Sequence, residues 1–184
     1  ILFVLEPIED DQGNSLEENK NYRGYTEYDV IKMIIEILDK IDKIFRIILV
    51  PHPRQDLKKL KKQWNMSGGS QYGSVYDNRR GRDLLPFVDG VIGMASTLLY
   101  EAWLLGKIVI SIQPGLIVDS LRTLSHKKGI VFIDQYESAE EEICNWLFNL
   151  SSLPKQYNQI QDELKLHLSA AKNVADNVVL FCDN

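Results

Sequence analysis

The stretch at residues 89–115, DGVIGMASTLLYEAWLLGKIVISIQPG, carries the clearest fold signal in this chain. It opens with a short apolar run at residues 90–94, which has the length of a buried strand. After two small residues, residues 97–105 show the apolar spacing of a helix, and a glycine follows the last of them. A second apolar run, Ile108–Ile112, comes next. This order predicts a β-α-β unit with two buried parallel strands.

The turn that precedes the helix of this unit suits an anion. Ser96 stands at the N-cap position, and with Thr97 it places two hydroxyls beside unpaired backbone N–H groups at the positive end of a helix. Glu101 lies one turn further along, among residues that otherwise pattern as buried, and a carboxylate there could accept hydrogen bonds from a ribose. Ordinary capping also explains Ser96, and a surface position also explains Glu101, so both alternatives stay open.

The remaining elements follow from the same periodicities. Strands are expected at residues 1–5, 46–50, 74–76 and 129–134, and helices at residues 27–44, 55–64, 83–88, 138–150 and 156–171. Thr26 and Ser138 are the expected N-caps of two of these helices, and residues 8–26 have the composition of a long loop. Strands and helices therefore alternate. This pattern predicts an α/β fold, a doubly wound, Rossmann-like parallel sheet of about six strands.

One domain accounts for the whole length. We expect residues 1–184 to form a single Rossmann-like domain, with residues 155–184 as a C-terminal helical extension. The chain opens directly inside an apolar strand at Ile1, which is unusual for a natural N-terminus. We therefore expect that it is part of a longer protein whose N-terminal portion is absent here.

Composition excludes several classes of protein. The chain has 26 acidic and 21 basic residues and a net charge of −5, so we expect no nucleic-acid partner. No apolar run reaches the roughly 18 residues of a membrane span, and the chain has neither a dinucleotide fingerprint nor a P-loop motif. We expect a cytoplasmic chain with no membrane span of its own, while membrane association through the full-length protein stays open.

Polar residues follow several of the predicted strands directly. In a doubly wound sheet the carboxyl ends of the strands meet at one edge, where ligands bind. His52 is held between two prolines after the second strand and could donate a hydrogen bond to a phosphate, although a turn histidine without a ligand is the equal alternative. Four further residues are expected to contact a ligand at this rim: Arg54, Gly93, Met94 and Gln113.

Two charged clusters are open to two interpretations each. Arg79, Arg80 and Arg82 form either an exposed basic loop or a mobile source of positive charge for a diphosphate. The acidic run at residues 9–11 is either solvated or a site for a divalent cation, and we expect no metal site.

The histidine-proline pair at residues 52–53, taken together with residues 89–112, resembles a known family. The resemblance is to the C-terminal, nucleotide-sugar-binding domain of GT-B-fold glycosyltransferases and their relatives, and it covers about residues 1–150. The family includes bacterial sialyl- and polysialyltransferases, capsule and teichoic-acid glycerophosphotransferases and UDP-N-acetylglucosamine 2-epimerases. The resemblance implies that His52, Ser96 and Thr97 bind the phosphates of the donor and that Glu101 binds its ribose.

The chain departs from the family pattern at two places. Its first predicted strand is followed by E-P-I-E-D-D rather than by the glycine, arginine or lysine of many family members, which puts donor contact from that loop in question. The turn before the helix contains one glycine, Gly93, where the epimerases have two after the serine. This second departure argues against an epimerase.

The function implied by the resemblance is donor-nucleotide binding in a GT-B-type glycosyltransferase for cell-surface polysaccharide synthesis. The nucleotide sugar would be a substrate, no cofactor is expected, and the absent N-terminal acceptor-binding domain would be a partner. Because the catalytic base of the family usually comes from that domain, the residues that perform catalysis stay unassigned, and we expect this chain alone to bind a donor without turnover. The alternatives are an epimerase-like enzyme and a non-catalytic Rossmann-like binding module.

Overall fold

The computed structural model describes residues 1–77, 80–150, 160–165, 167 and 170. Its strands are β1 (Leu2–Val4), β2 (Ile47–Val50), β3 (Gly73–Val75), β4 (Gly90–Gly93), β5 (Ile108–Ile112) and β6 (Ile130–Ile133). Its α-helices are α1 (Ile8–Gln12), α2 (Glu27–Leu38), α3 (Leu57–Met66), α4 (Gly81–Leu84), α5 (Thr97–Leu104) and α6 (Tyr136–Phe148). The six strands form one sheet in the order β3-β2-β1-β4-β5-β6, and every pair of neighbours is parallel. The predicted doubly wound α/β fold is confirmed.

Both faces of the sheet are covered, which explains why its strands are continuous apolar runs. Along β1, Phe3 faces a core formed with α2, α3 and α6, while Leu2 and Val4 face a second core formed with α4 and α5. The alternation arises because successive side chains of a strand point to opposite faces. Each face therefore carries its own buried layer of helices.

The strand order reverses at the centre of the sheet. The chain proceeds from β1 outward through β2 and β3, then returns to place β4 on the other side of β1. In open α/β sheets the carboxyl ends of the strands flanking such a reversal form a crevice. Here these ends are the residues that follow β1 and β4.

Several predicted element boundaries are wrong. Residues 8–26 are not a continuous loop, because Ile8 is buried and three acidic residues in the first turn of α1 favour a short helix through the helix dipole. The helix predicted at residues 27–44 ends at Leu38, where Lys40 and Ile41 bond to carbonyls three residues back. In α6 the predicted cap Ser138 is not used, because the helix begins two residues earlier.

The early start of α6 has a tertiary cause. A Cβ atom placed on Gly115 would lie 2.8 Å from the Tyr136 ring, so the ring packs directly on that glycine. The helix predicted at residues 83–88 is likewise split into α4 and a 3-10 turn at Leu85–Phe87, since Pro86 lacks an N–H group. The contact with Gly115 is distant in sequence, whereas the effect of Pro86 is local.

Other local predictions are confirmed. Thr26 caps α2 by accepting a hydrogen bond from the Asp29 N–H, and the Asp29 carboxylate accepts one from the Thr26 N–H in return. Of the helix expected at residues 156–171, residues 160–165, 167 and 170 are helical, and the others lie outside the described residues. No helix within the described ranges has both the length and the apolarity to cross a membrane.

Candidate functional site

A cavity of about 540 Å³ opens at the carboxyl ends of β1 and β2. Its apolar wall is formed by side chains such as Leu5, Val50 and Leu98. Its polar lining comes from the loops that follow β2, β3 and β4: His52, Gln55, Tyr76, Asp77, Arg80 and Ser96. The structure therefore brings together two of the predicted phosphate-binding residues, His52 and Ser96, from segments far apart in sequence.

A second groove, of about 600 Å³, lies at the opposite edge of the sheet. It is lined by residues at the amino ends of the strands, such as Arg46, Asp89 and Lys107. Ligands of open α/β sheets bind outside the carboxyl ends of the strands. We therefore take the cavity that contains His52 and Ser96 as the candidate functional site.

The His52 ring is held in one orientation by its own turn. The backbone N–H of Arg54 donates a hydrogen bond to the ring atom His52 Nδ1 at 3.2 Å. The backbone N–H of His52 donates to Gln55 Oε1 at 3.1 Å. Because Nδ1 accepts a hydrogen bond, the proton of the neutral ring lies on Nε2. The neutral His52 ring thus has one N–H, on Nε2, available as a donor.

Ser96 acts as the N-cap of α5, as predicted. Its Oγ accepts a hydrogen bond from the Leu98 N–H at 3.3 Å, which satisfies one of the free donors of the first turn. Ser96 is half-buried and Thr97 is exposed. The Leu99 N–H donates to the Ser96 carbonyl at 3.0 Å, so the Thr97 N–H remains as a first-turn donor at the positive end of α5, beside the cavity.

A carboxylate that the sequence reasoning missed lies at the strand-order reversal. The Ala95 N–H donates to Glu6 Oε2 at 2.6 Å, so Glu6 joins the end of β1 to the turn before α5. Glu6 Oε1 lies 3.6 Å from Nη1 of the buried Arg23, whose Nε donates to Gln12 Oε1. In the sequence, Glu6 directly follows an apolar strand, and this position could have identified it as a residue at the carboxyl edge of the sheet.

Three of the expected rim residues lie behind the turn between β4 and α5 rather than at the cavity surface. Gly93 and Met94 are buried, and the Met94 carbonyl accepts hydrogen bonds from Ser111 Oγ and Gln113 Nε2. Gln113 is also fully buried, and its Oε1 accepts a hydrogen bond from the Tyr25 hydroxyl. The fourth, Arg54, is exposed and forms a bidentate ion pair with Asp11.

Glu101 lies outside the cavity lining and pairs with Arg82. The Glu101 carboxylate keeps about a third of its side chain exposed, and Arg82 is more exposed still. A ribose could reach Glu101 only if Arg82 moved aside or shared the carboxylate, so the ribose role stays a prediction. Of the other two arginines in that predicted cluster, Arg80 lines the cavity, and Arg79 lies outside the described residues.

The acidic residues of α1 form ion pairs with basic side chains that follow β2, in the turn after this strand and on α3. Glu9 and Asp10 pair with Lys59, and Asp11 pairs with Arg54. Within the described part of the chain, no group of three or more His, Cys, Asp or Glu side chains is arranged to hold a metal ion. These contacts instead fix α1 against the turn that carries His52.

A second carboxylate missed at the sequence level, Glu27, lies fully buried beneath this contact. Its Oε2 accepts a hydrogen bond from the Glu9 N–H at 2.8 Å, and its Oε1 accepts one from Gln55 Nε2 at 3.1 Å. Burial raises the pKa of Glu27 above its ordinary value of 4.5, and the hydrogen bonds limit the rise. Each oxygen of the buried Glu27 carboxyl group therefore accepts one hydrogen bond.

The raised pKa of Glu27 makes a prediction about stability. Because the folded state holds the Glu27 proton more tightly than the unfolded state, the favourable contribution is present at low pH and is lost as pH rises through the raised pKa. We expect the free energy of unfolding of the wild type to fall relative to Glu27→Gln over the pH range that begins near the ordinary value of 4.5 and extends upward through the raised pKa. Urea unfolding of both proteins across that range measures the difference. A constant difference would show that the pKa of Glu27 is not raised.

No protein-family model matches the chain, and searches of curated proteins and of solved structures give no significant match. The fold defines the chain as a Rossmann-like α/β protein.

Proposed function

We propose that this chain is the donor-nucleotide-binding domain of a GT-B-type glycosyltransferase that acts in cell-surface polysaccharide synthesis. The observation that carries the proposal is the cavity at the carboxyl ends of β1 and β2, which is lined by both His52 and Ser96. Its volume of about 540 Å³ is within the usual range for small-molecule sites. The nucleotide sugar is the substrate, and the acceptor binds to an N-terminal domain outside this chain.

The chemistry of the cavity fits a donor phosphate. Transfer of a sugar leaves negative charge on the phosphate of the departing nucleotide, and donors aimed at that charge lower the barrier. His52 and Ser96, the N-cap of α5, line the cavity from two different loops. A phosphate placed between them would accept hydrogen bonds from both, and the apolar wall would exclude water from the contact.

Nucleotide binding by the 184-residue chain is the direct test. We expect calorimetry with CMP, CDP, UDP and GDP to find at least one ligand with a dissociation constant below about 1 mM. His52→Ala should weaken that ligand about tenfold or more, since a hydrogen bond to a charged group is lost. Ser96→Ala should weaken it several-fold, and it should also lower stability by about 1 kcal/mol because the N-cap of α5 is removed.

Two control substitutions match these variants in chemistry. His126 and Ser125 are exposed and lie outside the cavity lining, so His126→Ala and Ser125→Ala should leave the affinity unchanged. If none of the four nucleotides binds more tightly than about 1 mM, the assignment is wrong. That result would favour the non-catalytic binding module.

The epimerase-like alternative shares this site and is separated by its products. A glycosyltransferase moves the sugar to an acceptor, whereas an epimerase returns a nucleotide sugar with an inverted carbon. Product analysis on the full-length protein distinguishes the two. A nucleotide sugar with an inverted sugar carbon, formed without an acceptor, would overturn the transferase proposal.

A further inference from the structure

A line of hydrogen bonds runs from the buried Glu27 to the candidate phosphate ligand His52. Gln55 Nε2 donates to Glu27 Oε1 at 3.1 Å. Gln55 Oε1 accepts from the backbone N–H of His52 at 3.1 Å. Glu27 is fully buried and Gln55 is nearly so. The side chains of Glu27 and Gln55 are thus shielded from water, where an unsatisfied hydrogen-bonding group is costly.

The carboxylate imposes a direction on the line. An ionised carboxylate only accepts hydrogen bonds, so Gln55 must turn its amide nitrogen toward Glu27. Its amide oxygen then faces the His52 N–H, which needs an acceptor. Glu27 Oε2 is occupied by the Glu9 N–H at 2.8 Å, so the carboxylate itself is held in place from α1. Each group in the line has one orientation that satisfies all its neighbours.

We propose that Glu27 is a positioning residue for His52, acting through Gln55 to fix the turn that presents His52 Nε2 to the cavity. The inference rests on the proposed role of His52 in binding phosphate. The turn is held from its other side by the ion pair between Arg54 and Asp11, which is largely exposed and contributes little. The buried line through Gln55 is therefore the stronger constraint on the backbone at His52.

Glu27→Gln is the informative substitution because it keeps the size of the side chain. An amide at position 27 has one acceptor oxygen and one donor NH₂, yet it faces two donors, the Glu9 N–H and Gln55 Nε2. Either one donor loses its acceptor, or Gln55 reverses and turns its NH₂ toward the His52 N–H. When the amide NH₂ faces Gln55, Gln55 loses its acceptor or reverses, and His52 is released from its present orientation. When it faces the Glu9 N–H instead, the contact with α1 is lost and Gln55 keeps its acceptor.

The test combines affinity with a direct observation of the His52 ring. For whichever of CMP, CDP, UDP and GDP binds best, we expect Glu27→Gln to weaken binding about fivefold when His52 is present and to have no further effect in His52→Ala. In the free protein, the ¹⁵N NMR signals of the His52 ring should shift and broaden in Glu27→Gln. Glu36→Gln, on an exposed face of the same helix, is the matched control and should change neither measurement.

The outcomes separate this inference from the proposed function. If Glu27→Gln leaves both the affinity and the His52 signals unchanged, or weakens binding equally in the His52→Ala protein, Glu27 does not position His52. If His52→Ala itself leaves nucleotide affinity unchanged, the phosphate role of His52 fails, and the NMR signals still decide whether Glu27 orients the ring. Gln55→Met interrupts the same line and must shift the same His52 signals, which covers the case in which Glu27→Gln does not fold.

Discussion

Gly24→Ala is expected to lower the free energy of unfolding by about 3 kcal/mol or more. A Cβ atom at residue 24 would lie 1.9 Å from the carbonyl oxygen of Gly115, and the residue has a φ of +105°. The loop that carries Gly24 therefore has to separate from the turn after β5. Two hydrogen bonds join the same segments, from Ile117 N–H to the Arg23 carbonyl and from the Tyr25 hydroxyl to Gln113, and both would be strained.

A comparison with Gly106→Ala separates the effect of the steric clash at residue 24 from the effect of its left-handed backbone conformation. Gly106 also has a positive φ, of +71°, but a Cβ atom there would meet nothing within 4 Å. The Gly106→Ala substitution should lower the free energy of unfolding only by the conformational penalty of a left-handed alanine, about 1 kcal/mol. Chemical denaturation of both variants gives the comparison. Equal losses would mean that the close approach of the two loops does not contribute to stability.

Trp103→Ala is expected to destabilise the protein by about 3–5 kcal/mol, the usual range for removing a buried aromatic side chain. Trp103 is 2 % exposed on the inner face of α5, stacks on Tyr100, and donates from Nε1 to the Lys128 carbonyl. Since α5 presents the Ser96 terminus to the cavity, the loss of its anchor should also weaken nucleotide binding. Denaturation and calorimetry on the same samples measure the two effects.

Two further substitutions locate the source of the Trp103 effect. Leu105 immediately follows α5 and is 63 % exposed, so Leu105→Ala should change stability by no more than about 0.5 kcal/mol. Trp103→Phe keeps most of the buried ring and loses the hydrogen bond to Lys128, and we expect an intermediate loss. A loss for Leu105→Ala as large as that for Trp103→Ala would show that the inner face of α5 is not the anchored one.

Most of the fold could be predicted because its signals are local. The strands other than β3 are largely apolar runs, and α2 has a period of apolar residues with Thr26 and Asp29 at its start. Alternation of strands with helices then leaves few arrangements besides a parallel sheet. Where prediction of a boundary was wrong, as at Tyr136, a contact distant in sequence decided the start of the helix.

The candidate site could be predicted in part. His52 and Ser96 were expected at the same edge, and they line one cavity. Glu101 was expected there as well, but its carboxylate pairs with Arg82 outside the cavity lining. A side chain on a helix can turn toward either of two neighbours, and the spacing of residues in the sequence does not distinguish them.

The sequence by itself determined the parallel α/β architecture and the capped N-terminus of α5 at Ser96, and it predicted the anion site there and the role of His52. Only the tertiary structure decided which buried polar groups support that site. Glu6 meets the Ala95 N–H across 89 residues, and Glu27 meets Gln55 across 28. A buried carboxylate is stable only with specific hydrogen-bond donors around it, and those donors become its neighbours only when the sheet and its helices have packed together. The partners of such a group therefore follow from packing rather than from local pattern.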